Sequence, residues 1–195
     1  MKRLFDILFS LVLIILLLPL FFFISFWIIF DSSGGIIFKQ KRVGLLGKEF
    51  FIYKFRTMRP DDGSQLQITV GSRDPRITKV GYYLRRYKLD ELPQLFNVLK
   101  GDMSVVGPRP EVPKYVALYN DEQRAVLSVK PGITDLASIQ YFEESDLIAM
   151  SDRPEETYIE TIMPEKLRLN LEYIQRASLM MDIKIILKTA LRMVA

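Results

Sequence analysis

The chain has 195 residues, with 27 basic and 23 acidic side chains, a formal net charge of +4, and neither cysteine nor histidine. The lack of cysteine excludes a disulfide framework, a thiol nucleophile and a thiolate metal site, and the lack of histidine leaves acid–base chemistry to carboxylates, lysine or tyrosine. Any metal would be a hard, oxygen-liganded ion such as Mg²⁺ rather than zinc. The basic charge balance favours an anionic partner, either lipid headgroups or a phosphorylated substrate.

The first feature along the chain is an uncharged apolar run from Ile7 to Phe30, with Pro19 near its middle. As a straight helix this run would reach roughly 36 Å, enough to cross a hydrocarbon core of about 30 Å. It therefore predicts a membrane-embedded segment, which disfavours nucleic acid as a partner. A cleaved signal peptide is disfavoured because no small-residue cleavage site follows the run.

Pro19 bears on how this segment lies in the membrane. Proline removes a helical hydrogen bond and clashes with the preceding turn, so a sharp bend is expected there. Each half would be about 17 to 18 Å long, which is too short to span alone. Basic residues flank both ends of the run, and such flanks prefer the cytoplasmic side. The sequence thus predicts a re-entrant helix–break–helix anchor over residues 1–35 with both termini cytoplasmic; a spanning anchor with a proline kink stays open as the alternative.

Residues 36–195 are predicted to form one small globular domain on the cytoplasmic face. Its fold class is mainly α with a few short β-strands (α+β). Strands are predicted over Ile36–Gln40 and Glu49–Phe55 around a turn at Gly44–Lys48. The stretch Arg59–Asp74 is polar and rich in turn formers. Helices are predicted over Thr78–Tyr87, from Asp90 as N-cap to a C-terminal Gly101, over Pro113–Val129 and over Glu165–Gln175.

The last segment, residues 182–195, has apolar side chains on one helical face and Lys184, Lys188 and Arg192 on the other. This pattern is typical of a helix that lies in the membrane interface, with its apolar face towards the lipid. A terminal helix packed on the core of the domain gives a similar pattern, and the sequence leaves both interpretations open.

The first candidates for chemistry are the adjacent carboxylates Asp90 and Glu91, which follow a basic stretch that includes Arg85 and Arg86. At the start of a helix, free N–H groups and the dipole favour anions, so a phosphate could be held there. The two carboxylates would divide their tasks, one as nucleophile or metal ligand and the other as acid–base partner. The alternative is structural, with Asp90 as a helix cap and Glu91 as a favourable first-turn charge.

The second candidate is Arg109, which lies between Pro108 and Pro110. Glycine and proline fix the backbone path here, so the planar guanidinium has little entropy left to lose on gripping a phosphate with two hydrogen bonds. The alternative is a turn with a surface arginine.

Seven motifs in this order resemble the bacterial sugar transferase family, in particular the small monotopic phosphoglycosyl transferases. The resemblance runs from the apolar anchor to about Thr134 and is looser in the carboxyl-terminal third. The motifs are Phe38–Gly44, Tyr53–Met58, Asp74–Thr78, Leu89–Leu95, Asn97–Ser104, Val106–Pro110 and Lys130–Thr134.

The resemblance implies transfer of a sugar 1-phosphate from a nucleotide diphosphosugar, usually UDP-linked, to polyprenol phosphate, with release of UMP. It places the protein at the cytoplasmic face of the bacterial inner membrane, in the first membrane step of glycoconjugate assembly such as that of exopolysaccharide or lipopolysaccharide. It also supports the re-entrant anchor broken at proline. Membrane lipids would be partners; downstream glycosyltransferases or a second copy of the chain stay open as further ones.

The resemblance also implies the roles of individual residues. Asp90 would attack the phosphorus that bears the sugar and form a phosphosugar-aspartyl intermediate. Glu91 would orient the metal or manage the proton of the acceptor. Mg²⁺ is the implied cofactor, with Asp90 as a ligand. The implied phosphate-binding residues are Arg109, Lys54, Arg56 and Arg86.

The chain departs from the family pattern after Thr134, where Asp135–Asp146 replaces the usual Gly-Trp continuation and basic loop. We therefore make no prediction of the sugar. The alternative function is a catalytically silent membrane scaffold that binds polyprenol phosphate or partner glycosyltransferases. An unrelated integral transferase with two metals is disfavoured because it would need several spanning helices and a spaced cluster of aspartates.

Overall fold

The computed structural model describes residues 1–59, 71 and 74–194. Its fold is mostly helical with two short two-stranded sheets, which confirms the predicted predominance of helix with a few short strands. The strands are β1 Ile37–Val43, β2 Glu49–Phe55, β3 Ser104–Val106 and β4 Gly132–Thr134. The helices are α1 Lys2–Asp31, α2 Lys79–Arg86, α3 Gln94–Lys100, α4 Pro113–Val116, α5 Asp121–Arg124, α6 Leu136–Gln140, α7 Glu144–Ala149, α8 Pro154–Thr157, α9 Met163–Arg176 and α10 Leu179–Val194.

Helix α1 is one helix of 30 residues with Pro19 inside it. The helix thus continues through Pro19, where two helices separated by a break were predicted, and the re-entrant topology stays a prediction. Pro19 still leaves the carbonyl four residues earlier without its helical donor. Of the described helices, α1 alone is long and apolar enough to cross a membrane by length and composition. Most of its apolar side chains lie on the surface of the protein, and Leu16, for example, is 71% exposed.

Both ends of α1 are attached to the rest of the chain by polar contacts. Near its start, the Arg3 guanidinium donates to the backbone carbonyls of Val98 (2.6 Å) and Leu99 (3.1 Å) at the end of α3. At its end, the Asp31 carboxylate accepts from the backbone N–H of Val80 in α2 at 3.0 Å. Polar groups at opposite ends of this apolar helix therefore bind the same globular body.

Strands β1 and β2 form an antiparallel hairpin in which Ile37 pairs with Phe55 and Val43 with Glu49. β2 matches its prediction, and β1 begins one residue later and runs three residues further than predicted. A 3₁₀ turn over Leu45–Gly47 joins the two strands. The hairpin places Lys54 near the carboxyl end of β2. The polar loop predicted from Arg59 to Asp74 falls largely outside the described residues.

Helix α2 follows its prediction closely, since Thr78 caps it by accepting a hydrogen bond from the N–H of Gly81 at 2.9 Å. The predicted N-cap at Asp90 is wrong. Asp90 lies in a separate 3₁₀ turn over Leu89–Glu91, and α3 begins only at Gln94. Gly101 ends α3 as predicted, in the left-handed conformation with φ of 97° that glycine adopts without a steric penalty.

The later helices show one difference and one agreement. The single helix predicted over Pro113–Val129 is instead α4, α5 and a 3₁₀ turn, because Asn120 starts a new helix with a capping box to Gln123. Helix α9 contains the whole of the predicted Glu165–Gln175.

Helix α10 begins at Leu179, three residues earlier than predicted. Ile185 is buried in a core cluster with Ile52, Val98 and Tyr173. A different stripe of the helix leaves Leu187 59% and Leu191 72% exposed. The helix therefore packs on the core along one side, and it keeps an exposed apolar side suited to an interface.

Candidate active site

A cavity of about 520 Å³ brings together the carboxylates and several of the basic side chains singled out in the sequence. Its wall includes residues of α1, β2, the 3₁₀ turn over Leu89–Glu91, the loop after β3, and helices α6, α7, α9 and α10. Four of the predicted site residues line it, namely Lys54, Asp90, Glu91 and Arg109.

The backbone around Asp90 is fixed on both sides. Lys88 adopts a left-handed conformation with φ of 53°, which ends α2 and starts the 3₁₀ turn. Leu89 and Leu92 pack against a buried cluster that includes Ile28 of α1. Apolar packing therefore holds the turn and directs Asp90 and Glu91 to the cavity.

Glu91 is held by two cations. The Arg109 guanidinium donates to both of its carboxylate oxygens, with 2.9 Å from Nη1 to Oε2, and the Lys54 ammonium donates to Oε1 at 3.0 Å. Burial alone would raise the pKa of Glu91, but Arg109 and Lys54 together hold it well below its ordinary value. Glu91 is therefore ionised and fixed in place.

Asp90 lies in the opposite situation. Its side chain is buried, and its Oδ1 atom has no hydrogen-bond partner among the described residues. Burial raises the pKa of Asp90, with a further increase from Glu91, and the nearby Lys54 and Arg85 oppose that increase only in part. A buried carboxylate with free lone pairs is available to attack an electrophile or to bind a cation, and it caps no helix.

Basic side chains surround this pair. Lys54, Arg85, Lys88 and Arg109 line the cavity with the two carboxylates, so cations outnumber anions near Asp90. Burial lowers the pKa of both Lys54 and Lys88, whereas the pKa of Arg109 is raised because its attraction to Glu91 outweighs its burial. This excess of positive charge suits a polyanionic ligand such as a diphosphate.

Two of the predicted phosphate-binding residues lie elsewhere. Arg56 is buried and donates to the carbonyl of Ser32 at 2.6 Å, so it ties β2 to the end of α1. Arg86 is exposed beside the ring of Tyr87. Neither residue lines the cavity.

Arg85 and Lys88 also line the cavity, although neither was among the predicted phosphate-binding residues. Adjacent helical residues point about 100° apart, so only one of Arg85 and Arg86 can face inward. The apolar residues Val80 and Leu84 mark the buried face of α2. Their positions could have indicated which of the two arginines faces inward.

Another part of the cavity wall is apolar. Phe9 and Leu13 of α1, with Ile186, Ala190 and Met193 of α10, contribute to it. The cavity thus joins the charged cluster to the two helices with membrane-type surfaces.

The described residues contain no group of three or more carboxylate, histidine or cysteine side chains that would hold a metal unaided. Both oxygens of Glu91 are already engaged, whereas Oδ1 of Asp90 is not. This donor set fits Mg²⁺ only in the manner in which that ion commonly binds, through one or two carboxylates with the other positions taken by water and substrate phosphates.

Comparison with known proteins gives a match to the family model for bacterial sugar transferases over residues 1–195. The chain belongs to the bacterial sugar transferase family. Among members, a UDP-glucose:undecaprenyl-phosphate glucose-1-phosphate transferase of Xanthomonas campestris pv. campestris is 40% identical over 178 residues, covering 89% of this chain and 34% of the relative. The enzyme of the same name from Escherichia coli K12 is 36% identical over 200 residues, covering 98% and 40%.

The chain therefore spans between a third and two fifths of the length of these two family members. It covers 92% of a third relative, the exopolysaccharide production protein PSS of Rhizobium leguminosarum bv. phaseoli, which is 40% identical over 197 residues. The family match thus includes the segment after Thr134, where the sequence departs from the usual motif.

Proposed function

We propose that this chain transfers a sugar 1-phosphate from a UDP-sugar to polyprenol phosphate through a covalent intermediate on Asp90. The observation that carries the proposal is the contrast between the two adjacent carboxylates: Glu91 is clamped by Arg109 and Lys54, whereas Asp90 is buried with an unpaired oxygen. The names of the relatives, which specify undecaprenyl phosphate as acceptor and UDP-glucose as donor, support the substrate classes.

In the first half-reaction, an Asp90 oxygen forms a bond to the phosphorus that carries the sugar. The bond from that phosphorus to the bridging oxygen breaks, and the electron pair leaves with UMP. Asp90 then carries the sugar phosphate as an acyl phosphate ester. The cations around the site, Arg109 foremost, stabilise the charge that develops on the phosphate oxygens.

In the second half-reaction, a phosphate oxygen of polyprenol phosphate bonds to the same phosphorus, and the bond from phosphorus to Asp90 breaks. The carboxylate is restored, and the product is a polyprenyl diphosphate sugar. The apolar wall formed by α1 and α10 suits the first isoprene units of the acceptor, because it brings a lipid phosphate to the charged cluster from the membrane side.

Glu91 serves in this scheme as a positioning residue. Its lowered pKa keeps it ionised, so it is poorly suited to accept a proton from the acceptor. It holds Arg109 and Lys54 in the orientation that grips the diphosphate. Asp90 would hold Mg²⁺ when the ion is bound, and the ion would supply positive charge that offsets the charge of the leaving group.

The direct test is UMP release by the full chain in nanodiscs, with UDP-sugars as donors and undecaprenyl phosphate as acceptor. We expect UMP and a lipid-linked sugar diphosphate to form in equal amounts. Binding of undecaprenyl phosphate with no UMP from any UDP-sugar would contradict the proposal and support the silent scaffold.

The pH dependence follows from the raised pKa of Asp90. Attack requires the carboxylate, so kcat/KM for UMP release is lost as the pH falls through that pKa, and the midpoint should lie above the ordinary value of 3.8. Glu91 stays ionised over this range. Rates measured from pH 4 to 8, with folding followed by circular dichroism, check the expectation. A midpoint at or below 3.8 in protein that remains folded would contradict it.

For topology we propose a re-entrant anchor at the cytoplasmic face of the inner membrane. Arg3 bonds to carbonyls at the end of α3, and Phe21 packs against Phe96 of the same helix with 6.0 Å between ring centroids. Near the other end of α1, Asp31 accepts from the backbone N–H of Val80 in α2, so polar groups at both ends of the helix bind the same globular body. A bend at Pro19 would keep both polar ends on one side of the bilayer.

Single cysteines can test this topology, because the natural chain has none. We expect Lys2→Cys and Lys39→Cys both to resist a membrane-impermeant thiol reagent in spheroplasts and both to react after permeabilisation. Leu16→Cys, within the lipid, should react poorly in each case. Labelling of only one of the two lysine positions in intact spheroplasts would establish a spanning helix instead.

A further inference from the structure

Besides Oδ1 of Asp90, two buried oxygens on the cavity wall have no hydrogen-bond partner among the described residues. They are Oδ1 of Asn170 in α9 and Oγ of Ser138 in α6. Asn170 as a whole is only 3% exposed. Buried polar atoms are nearly always paired because an unpaired one destabilises the fold. Two such atoms on one cavity wall therefore indicate a ligand that brings its own donors.

Ser138 lies beside the phosphate-binding cluster. The buried Asp135 carboxylate accepts from the backbone N–H of Arg109 through Oδ2 at 2.9 Å and from the backbone N–H of Ser138 through Oδ1 at 2.5 Å. One carboxylate thus links the two backbones. The backbone of Ser138 is thereby held to the backbone of Arg109, the arginine that clamps Glu91.

Asn170 belongs to the same wall. Helix α6 packs against α9, and Asn170 lies one helical turn after Lys166, which binds both carboxylate oxygens of Glu144 at 3.0 and 2.8 Å. Lys166 and Glu144 also line the cavity. Lys166 and Glu144 pair with each other and so add no net charge to this part of the wall. The two unpaired oxygens in it belong to uncharged side chains, Ser138 and Asn170.

This wall faces the turn that carries Asp90. The Lys88 ammonium, two residues before Asp90, lies 4.9 Å from the centre of the Phe142 ring, which follows α6. The turn that carries Asp90 and the end of α6 thus contact each other, and both line the same cavity.

We propose that Ser138 and Asn170 form a subsite that binds hydroxyl groups of the sugar in the donor. The proposal rests on the phosphoglycosyl transferase function proposed above. Fully ionised phosphate oxygens carry no protons and cannot satisfy Oδ1 of Asn170, whereas a sugar hydroxyl donates to it and can also accept from Ser138. A wall with no excess charge suits a neutral hexose, in contrast to the cationic cluster beside it.

The position of the subsite favours the sugar over the uracil base. The sugar is bonded directly to the phosphate that Asp90 attacks, whereas the base is separated from that phosphorus by a second phosphate and a ribose. Ser138 is linked through Asp135 to Arg109, next to the attacked phosphate. A site built to hydrogen-bond a hydroxyl discriminates strongly against analogues that lack it, so these residues would set donor selectivity.

The test combines Asn170→Leu with donors that lack single hydroxyls. We use the UDP-hexose that the wild type turns over fastest, together with its monodeoxy analogues. Asn170→Leu should lower kcat/KM for the parent donor about tenfold to hundredfold and leave inhibition by UMP unchanged. For one analogue, the loss caused by the missing hydroxyl and the loss caused by the mutation should not add, because both remove the same hydrogen bond.

Ser138→Ala removes only the second unpaired oxygen. It repeats the test at a further hydroxyl if the leucine variant folds poorly.

Ser10→Ala serves as the matched control, since Ser10 is a buried residue of α1 with an unpaired oxygen outside the cavity wall. The donor selectivity of this variant should stay that of the wild type. Thermal unfolding of Asn170→Leu should occur at or above the wild-type temperature, because the leucine removes an unpaired acceptor.

The outcomes separate this inference from the function on which it rests. Wild-type turnover with additive losses for every analogue, or a parallel loss of UMP inhibition in Asn170→Leu, overturns the sugar subsite alone. If the wild type releases UMP from no UDP-sugar, the proposed function is overturned and the subsite with it.

Discussion

Replacing Asp90 with asparagine should abolish UMP release, with a loss of at least about 10³-fold in kcat, while the chain stays folded and bound to the membrane. Asparagine has nearly the same shape but cannot form the acyl phosphate. Because burial raises the pKa of Asp90 above its unfolded value, the ionised carboxylate opposes folding at neutral pH. The variant should therefore unfold at the same temperature as the wild type or a higher one.

Asp121→Asn is the matched control, since Asp121 is exposed in the first turn of α5 and does not line the cavity. It should keep wild-type turnover. Full turnover by Asp90→Asn in the same assay would remove Asp90 as the nucleophile.

Replacing Arg109 with lysine should lower kcat about 100-fold even though the charge is kept. Lysine cannot make the paired contact through which Arg109 holds both oxygens of Glu91, and it cannot present a planar fork to a phosphate. Steady-state UMP release over a range of donor concentrations separates the effects on kcat and KM.

Arg86→Lys provides the comparison for this variant, because Arg86 is exposed and outside the cavity wall. It should change kcat less than about twofold. Equal effects of the two substitutions would contradict the assignment of the phosphate grip to Arg109.

The sequence predicted those elements whose signals are local. The Thr78 cap and the apolar spacing of α2, the alternation in β2, and Gly101 at the end of α3 each depend on neighbouring residues, and all are present. The prediction of Asp90 as an N-cap was wrong because Lys88, in the left-handed conformation, starts a separate 3₁₀ turn. Helix α3 therefore begins only at Gln94. This error matters for function, because helix capping was the structural alternative to a chemical role for Asp90.

The site was predictable where its motifs stand alone and unpredictable where tertiary packing decides. Arg109 and Lys54, predicted as phosphate-binding residues, line the cavity together with Asp90 and Glu91; their contact with Glu91 was not predicted. Arg56 lies away from the cavity because it contacts Ser32, 24 residues earlier at the end of α1, and no local pattern indicates that contact. Asn170 and Ser138 have no local signal, because their significance arises only when α9 packs against α6 and leaves two oxygens unpaired.

The proposed mechanism depends on a covalent bond between Asp90 and the phosphorus of the donor. Mass spectrometry of the protein incubated with its UDP-sugar and Mg²⁺, without polyprenol phosphate, tests it most directly. We predict an added mass of one sugar phosphate, located by fragmentation to Asp90, absent from Asp90→Asn and lost when undecaprenyl phosphate is supplied. Continued turnover of a wild-type enzyme that never acquires this mass, or acquires it on another residue, would contradict the mechanism.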